Sequence, residues 1–328
     1  MTTAFYGDAQ LATRLSELLG KRHRVAAVAV VRAGECLVAS RGAHLAADFE
    51  IGSISKGVTG LLYADSLSRG EVESNTTLGD ILPLGDSPVA KLTLASLSTH
   101  HSGLPSLPRA AHPLRRTIAL WRHGTNPYGE RVSELLTQAR TVNTRASRGS
   151  YSNLGYELLG HAIATAASTT YAELLNRRLT SLLGLPHTYV PARAEQLRDD
   201  VLVGRSRGGR TQQPWTGEAF GPTGGIRSTI GDMARLTAAL LDESAPGVTA
   251  LDPVAELGRG ARIGAAWITL EFGGRAITWH NGRTGGFSSW LGVDREAGTG
   301  VVLLSATSAS IDRHGFSLLA EHGKIVRG

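Results

Sequence analysis

Strand-like segments occur only near the two ends of this 328-residue chain, and the stretch between them reads as helix. Near the N-terminus, Val25 to Arg32 and Cys36 to Ser40 are apolar runs broken by Ala33-Gly34, the pattern of a β-hairpin. Strand character returns in Ile263 to Phe272, Arg275 to His280, Ser288 to Asp294 and Gly300 to Ser305. Gly273-Gly274 and Gly298-Thr299-Gly300 are hairpin turns, which make these strands antiparallel neighbours. From Val72 to about Thr211 the helical segments are Leu92 to Thr99, Val132 to Arg140, Asn153 to Ser168 and Tyr171 to Leu183. A loop from Pro105 to Gly129 and a basic connection at 204–215 interrupt them. The expected fold is α/β (α+β), an antiparallel sheet flanked by helices with a mostly helical inserted domain. The expected division is 1–75 plus 216–328 for the sheet and 76–215 for the insertion, with the site at their interface.

Three more helices belong to the sheet part. Residues 8–20 carry Leu11, Leu15, Leu18 and Leu19 at helical spacing before Gly20, and Ile311 to Glu321 closes the chain. The third runs from Ser53 to about Arg69 and ends at Gly70, with Ile54, Val58, Leu61, Leu62 and Leu67 as its buried stripe. Gly57 and Gly60 each cost a helix about 1 kcal/mol, so close packing against a neighbour is expected to compensate.

That last helix opens with Ser53-Ile-Ser-Lys56, the one Ser-x-x-Lys of the chain, and Lys56 is one of four lysines among thirty arginines. Lysine can lose its proton when desolvated; guanidinium cannot. A hydroxyl one turn from a neutral amine is a route to an activated nucleophile. The Ser53 N–H is also among the unpaired donors of a helix N-terminus. An exposed N-cap serine beside a solvated lysine would give the same spacing. Tyr151-Ser152-Asn153, the one Tyr-x-Asn, precedes the next helix. Its phenol, with a pKa lowered beside a cationic lysine, can act as base, and the Asn153 amide can orient a carbonyl or Lys56. A core tyrosine with Ser152 as helix cap is the plainer alternative. His280-Asn281-Gly282-Arg283 ends a strand, where Gly282 permits close substrate approach and a strand-edge N–H can meet an oxyanion. A hydrogen-bonded histidine would look the same.

Taken together, in this order, the three motifs resemble the serine β-lactamase / penicillin-binding-protein superfamily, in the branch of class C β-lactamases, D-Ala-D-Ala carboxypeptidases and family VIII esterases. Leu92 to Pro105 resembles the family segment Thr-His-Thr-Ser-Gly-Leu-Pro. Tyr151 to Gly160 resembles its Tyr-Ser-Asn segment, and Gly224-Gly225-Ile226-Arg227-Ser228 with Asp232 a third. The likeness covers roughly residues 25–305. It implies the β-lactamase/transpeptidase-like fold, with Ser53 as acylated nucleophile and Lys56 and Tyr151 as a coupled base system. Asn153, His280, Asn281, Gly282 and Arg283 would bind substrate, and the backbone N–H groups of Ser53 and Arg283 would form the oxyanion hole.

The sequence departs from class C β-lactamases at the third motif, where they carry Lys-Thr-Gly. Neutral imidazole is a poorer partner for a drug carboxylate than ammonium, so esterase stands ahead of β-lactamase. Transacylase, D-amino-acid peptidase and a non-catalytic binding domain remain as rivals. Arg283 can itself face a substrate carboxylate or simply be solvated. Loop 204–215 can line the mouth of the site, and Trp215, Phe220, Tyr128 and Trp290 can form its walls or pack in the core.

Hydrophobic content of 41% and charged content of 19% describe an ordinary folded protein. Net charge +6 comes from scattered arginines without an aromatic-basic cluster, so no nucleic-acid partner is expected. The expected partner is a small-molecule ester or amide, without membrane attachment, and oligomeric state stays open. His100-His101 lacks a third ligand at metal spacing and no glycine-rich phosphate loop opens a helix, so no metal or cofactor is expected. Cys36, the lone cysteine in an apolar run, is expected as a small buried hydrophobe. Met1 to Gly20 lacks an unbroken apolar core, and a cytoplasmic location is expected.

Overall fold

The computed structural model describes residues 4–32, 34–106, 124–127, 129–144 and 149–323. Tyr128, Ala33 and most of the loop expected from Pro105 to Gly129 lie outside the described residues. Nine antiparallel strands form the main sheet: β1 (Phe5–Gly7), β2 (Ala26–Arg32), β3 (Glu35–Arg41), β6 (Ala255–Gly258), β7 (Ala261–Ile263), β8 (Ile268–Phe272), β9 (Arg275–Arg283), β10 (Ser288–Asp294) and β11 (Thr299–Ser305). Their order across the sheet is β1-β3-β2-β11-β10-β9-β8-β7-β6. The β2–β11 pairing, Ala26 opposite Ser305 through Arg32 opposite Thr299, joins the two ends of the chain. The resulting mixed fold is an antiparallel sheet flanked by helices, as the segment pattern implies.

The central strands are apolar on both faces because both faces are covered. On β2, Ala27, Ala29 and Val31 join one core and Ala26, Val28 and Val30 the other; β11 divides likewise into Val302 and Leu304 against Val301 and Leu303. This is the period-2 alternation of a strand sandwiched between helices. One face carries α1 (Ala9–Leu19) and the C-terminal α10 (Asp312–His322), packing Leu11, Leu15, Leu318 and Leu319 around Trp290. Trp290 is therefore core rather than a pocket wall, clustered with the rings of Trp279 and Phe316.

The other face carries α2 (Ile54–Ser68), which is buried from Ile54 through Ser66. Its glycines explain how it fits. A Cβ at Gly57 would lie 2.8 Å from the ring of Trp267, and one at Gly60 would run into the Ala265 carbonyl. Trp267 in turn donates its indole N–H to the Gly57 carbonyl at 3.1 Å. Seating Trp267 this way breaks the single strand expected over Ile263 to Phe272 into β7 and β8, with Ala266 at a left-handed φ of 70° between them. Further helices share this core: α3 (Leu78–Ile81), α4 (Leu94–Ser98), α5 (Val132–Ala139), α6 (Asn153–Ala166), which packs on α2, and α7 (Tyr171–Leu175). The helix expected over Tyr171 to Leu183 is shorter, passing at Asn176 into a π-helical turn. The short α8 (Gly221–Gly224) and α9 (Ile230–Leu241) complete that layer.

A two-stranded ribbon, β4 (Phe49–Glu50) with β5 (Arg227–Ser228), leads into α2. The fully buried Arg227 guanidinium holds Asp48 at 2.8 Å and Glu50 at 3.0 Å. Removing one partner from such a buried set costs about 3–5 kcal/mol, so this cluster fixes the backbone just ahead of Ser53. The expectation for Cys36 is overturned: it is exposed, near the turn end of the β2–β3 hairpin. Among the described residues, no helix is long and apolar enough to cross a membrane.

Candidate active site

Ser53 stands at the turn from β4 into α2, and its side chain does not cap the helix. The hydroxyl is engaged elsewhere. Lys56 Nζ donates to Ser53 Oγ at 3.1 Å, and the Tyr151 hydroxyl donates to the same oxygen at 2.6 Å. Lys56 lies one turn along α2, so its amine reaches back over the helix start. Tyr151 arrives from the loop before α6, where Ser152 caps the helix by accepting from the Gly155 N–H at 2.9 Å. Three residues separated by up to 98 positions thus meet at one oxygen.

Lys56 is fully buried, and its second partner is the Thr223 carbonyl in α8 at 2.7 Å. Burial pushes its amine well below the ordinary lysine range, with Glu157 opposing that shift. At Tyr151 the shift reverses the sequence expectation. Its ring sits 4.6 Å from that of His100 and 4.7 Å from Lys56 Nζ. Although the residue is 40% exposed, burial raises the phenol above its ordinary value. The phenol's own desolvation outweighs its hydrogen bond to Ser53, which acts the other way.

Two backbone amides face the same region. The Thr284 N–H donates to the Phe287 carbonyl at 3.0 Å, which sets the register of the β9–β10 ladder. Antiparallel bonding alternates, so the N–H groups of Gly282 and Thr284 point at β10 and that of Arg283 points the other way. β8 ends opposite Trp279, leaving that edge unpaired at Arg283 among the described residues. Gly52, at φ +51°, allows the approach: a Cβ there would lie 2.7 Å from Arg283 N. A Cβ on Gly282 would lie 2.9 Å from Ser53 N and strike the Ile51 carbonyl. The two glycines keep the Ser53 and Arg283 amides adjacent, a geometry suited to an oxyanion.

Ser53, Tyr151, Asn281, Gly282 and Arg283 open onto one cleft of about 310 Å³, with Ser288, Ser310 and Asp312 completing it. The third motif divides by strand parity. Ile277 and Trp279 face the α10 side, and so does Asn281, whose amide donates to Asp312 at 3.0 Å. His280 and Gly282 face α2. His280 is fully buried there, donating from Nδ1 to the Asn281 carbonyl at 2.7 Å, and does not line the cleft. Burial pushes its imidazole down to about 4, with Lys56 adding to the shift. Asn153 is set back as well, accepting at 3.3 Å from the hydroxyl of Thr223, the residue whose carbonyl holds Lys56.

Sequence reasoning missed Thr223, whose contribution to Lys56 is a carbonyl and leaves no side-chain signature. It also missed Glu157, raised by burial to about 8. Glu157 lies four residues after Asn153, on the same helix face, which was a usable signal. Trp215 does not line this cleft; its N–H donates to Glu50 at 2.8 Å and its ring meets Phe220 at 5.7 Å.

The sequence model of the beta-lactamase family matches residues 11–322. D-alanyl-D-alanine-carboxypeptidase/endopeptidase AmpH of Escherichia coli (strain K12) is 31% identical over 191 residues, 56% of this chain and 46% of that protein. A beta-lactamase-like protein of Arthroderma benhamiae is 28% identical over 306 residues, 80% of this chain and 49% of that one. The chain spans about half the length of the curated relatives it matches. Among solved structures, a class C beta-lactamase superposes with a TM-score of 0.80 at 17% identity, covering 97% of this chain and 95% of its own. The beta-lactamase/D-alanine carboxypeptidase of Pseudomonas syringae gives 0.79 at 17%, covering 96% and 98%. By its sequence this chain belongs to the beta-lactamase family, and its fold is that of the class C beta-lactamases.

Proposed function

We propose that the protein is an esterase working through an acyl-enzyme on Ser53. The observation that carries this reading is the double engagement of Ser53 Oγ, by the Lys56 amine at 3.1 Å and the Tyr151 hydroxyl at 2.6 Å. Neutral Lys56 takes the serine proton as Oγ attacks the ester carbonyl. The developing oxyanion accepts from the Ser53 and Arg283 N–H groups. Tyr151, kept protonated by its raised pKa, passes a proton to the departing alkoxide and is resupplied by the Lys56 ammonium. Water then repeats the sequence on the acyl-enzyme with the amine again as base.

The likeness to AmpH supports a second reading, a D-alanyl peptidase. Against its preference stands the cleft itself, in which Arg283 is the one cationic side chain among the described residues and His280 is buried and neutral. The test is turnover of short-chain p-nitrophenyl esters beside a D-Ala-D-Ala peptide, with and without an added amine acceptor. Esterase predicts ester hydrolysis, slower peptide release and little amide product. Dominant peptide cleavage would favour the peptidase, and dominant amide product a transacylase.

A further inference from the structure

Beyond Arg283 the cleft continues into a second hollow of about 880 Å³ that shares Arg283, Ser310 and Asp312 with it. Four separate segments deliver positive charge to this space. Lys21 and Arg22 come from the turn after α1, Arg207 from the loop 204–215, Arg313 from the first turn of α10, and Arg283 from the end of β9. The loop carrying Arg207 is closed on itself, the Ser206 N–H donating to the Arg210 carbonyl at 2.7 Å.

The carboxylates in the same wall are already engaged. Glu17 pairs with Arg14 at 3.1 Å, and Asp312 accepts from Asn281 at 3.0 Å. Among the described residues, no carboxylate forms an ion pair with Lys21, Arg22, Arg207, Arg283 or Arg313. Arginines elsewhere in the fold are matched, as Arg178 is with Glu71 and Arg295 with Asp252. Concave cationic surface of this kind focuses potential and draws in an anion. Five cations exceed what a single carboxylate needs, whereas guanidinium groups from different directions suit the several oxygens of a phosphate.

We propose that the natural substrate carries a phosphate or pyrophosphate group that seats in this hollow while its ester or thioester carbonyl meets Ser53. The inference rests on Ser53 being the acylated nucleophile. In the acylation step the Ser53 Oγ–C bond forms and the C–O or C–S bond breaks. The serine proton leaves, through Lys56 and Tyr151, with the departing alcohol or thiol; no oxidant or further reactant is needed. The phosphate can ride on the leaving group or on the acyl arm, and paired probes separate the two.

The experiment measures kcat/KM for butyryl-coenzyme A against butyryl-pantetheine, which lacks the phosphates, and for a p-nitrophenyl ester with an acyl chain ending in phosphonate against its methyl-ended analogue. The wild type is compared with the exposed-site double variant Arg22→Ser/Arg207→Ser. We expect one phosphorylated probe to exceed its neutral partner by about tenfold or more at low salt, and the margin to shrink in the variant and in high salt. Turnover of the neutral p-nitrophenyl ester should be the same in both proteins. Equal rates within both pairs, or a margin that survives the double substitution, would overturn the phosphate site while leaving the serine chemistry standing. Absence of turnover on every ester and thioester would instead overturn the serine reading on which it rests.

Discussion

The Tyr151 hydroxyl reaches Ser53 Oγ at 2.6 Å, although 98 positions separate the two residues. With its pKa raised by burial, that phenol donates a proton rather than removing one. Tyr151→Phe therefore removes a donor and leaves the Lys56 amine in place. Steady-state kinetics should show kcat lower by about 10²–10⁴-fold, the usual worth of a positioned acid or base. The melting temperature should change little, since the ring and its contact with His100 are kept. A near-normal kcat would mean that the leaving group finds its proton elsewhere.

Lys56→Arg puts a permanent cation where the mechanism uses a neutral amine, because guanidinium does not become neutral. Activity should fall by at least about 10³-fold. The pH profile of the wild type carries the same information. Since burial holds the Lys56 pKa well below 10.5, the acid limb of kcat/KM should lie far below the ordinary lysine range. An acid limb near that ordinary value would remove the neutral-amine mechanism.

Glu157 makes the stability of the protein depend on pH in a predictable direction. Burial raises its carboxyl from 4.5 to about 8. Below 4.5 folded and unfolded chains both hold the proton, so this contribution is fully present. As pH rises toward 8 only the folded chain retains it, and stability falls until the folded group also ionises. Glu157→Gln abolishes that dependence. Thermal melts should show variant and wild type alike near about pH 4 and the variant more stable near about pH 9, by an amount on the order of a few kcal/mol. A constant offset across the series would contradict the assignment.

Gly282→Ala tests the oxyanion geometry. The new methyl would strike the Ile51 carbonyl and Ser289 Oγ and lie 2.9 Å from Ser53 N. We expect a loss of about 1–3 kcal/mol of stability from overpacking. At temperatures where the variant stays folded, kcat should fall by about 10²–10³-fold. A folded variant with unchanged kcat would place the oxyanion elsewhere.

Legibility followed the physics of each signal. β10 was read to the residue because its largely apolar run stops at the charged Asp294-Arg295-Glu296 before the Gly298-Thr299-Gly300 turn. Gly57 and Gly60 correctly announced tight packing on α2. β1 and β6 escaped notice because such short strands with mostly exposed or half-buried residues carry no apolar run. Nothing in the sequence marks Ala266 for a left-handed φ, so the break between β7 and β8 was invisible. In the site, Ser53, Lys56, Tyr151 and Gly282 were legible through the order of the three motifs and the family they resemble, since each motif alone fits a plainer reading. The inward turn of His280 was not, since it depends on which face of β9 meets α2. The direction of the Tyr151 shift was misread because the burial of the phenol itself is a tertiary fact.

The central claim is that Ser53 Oγ is the atom that becomes acylated. Intact mass spectrometry after a fluorophosphonate, comparing wild type with Ser53→Ala, addresses it directly. The wild type should gain the mass of one phosphonyl group, and Ser53→Ala should gain none. An equal adduct on both proteins, or none on a folded wild type, would contradict the account.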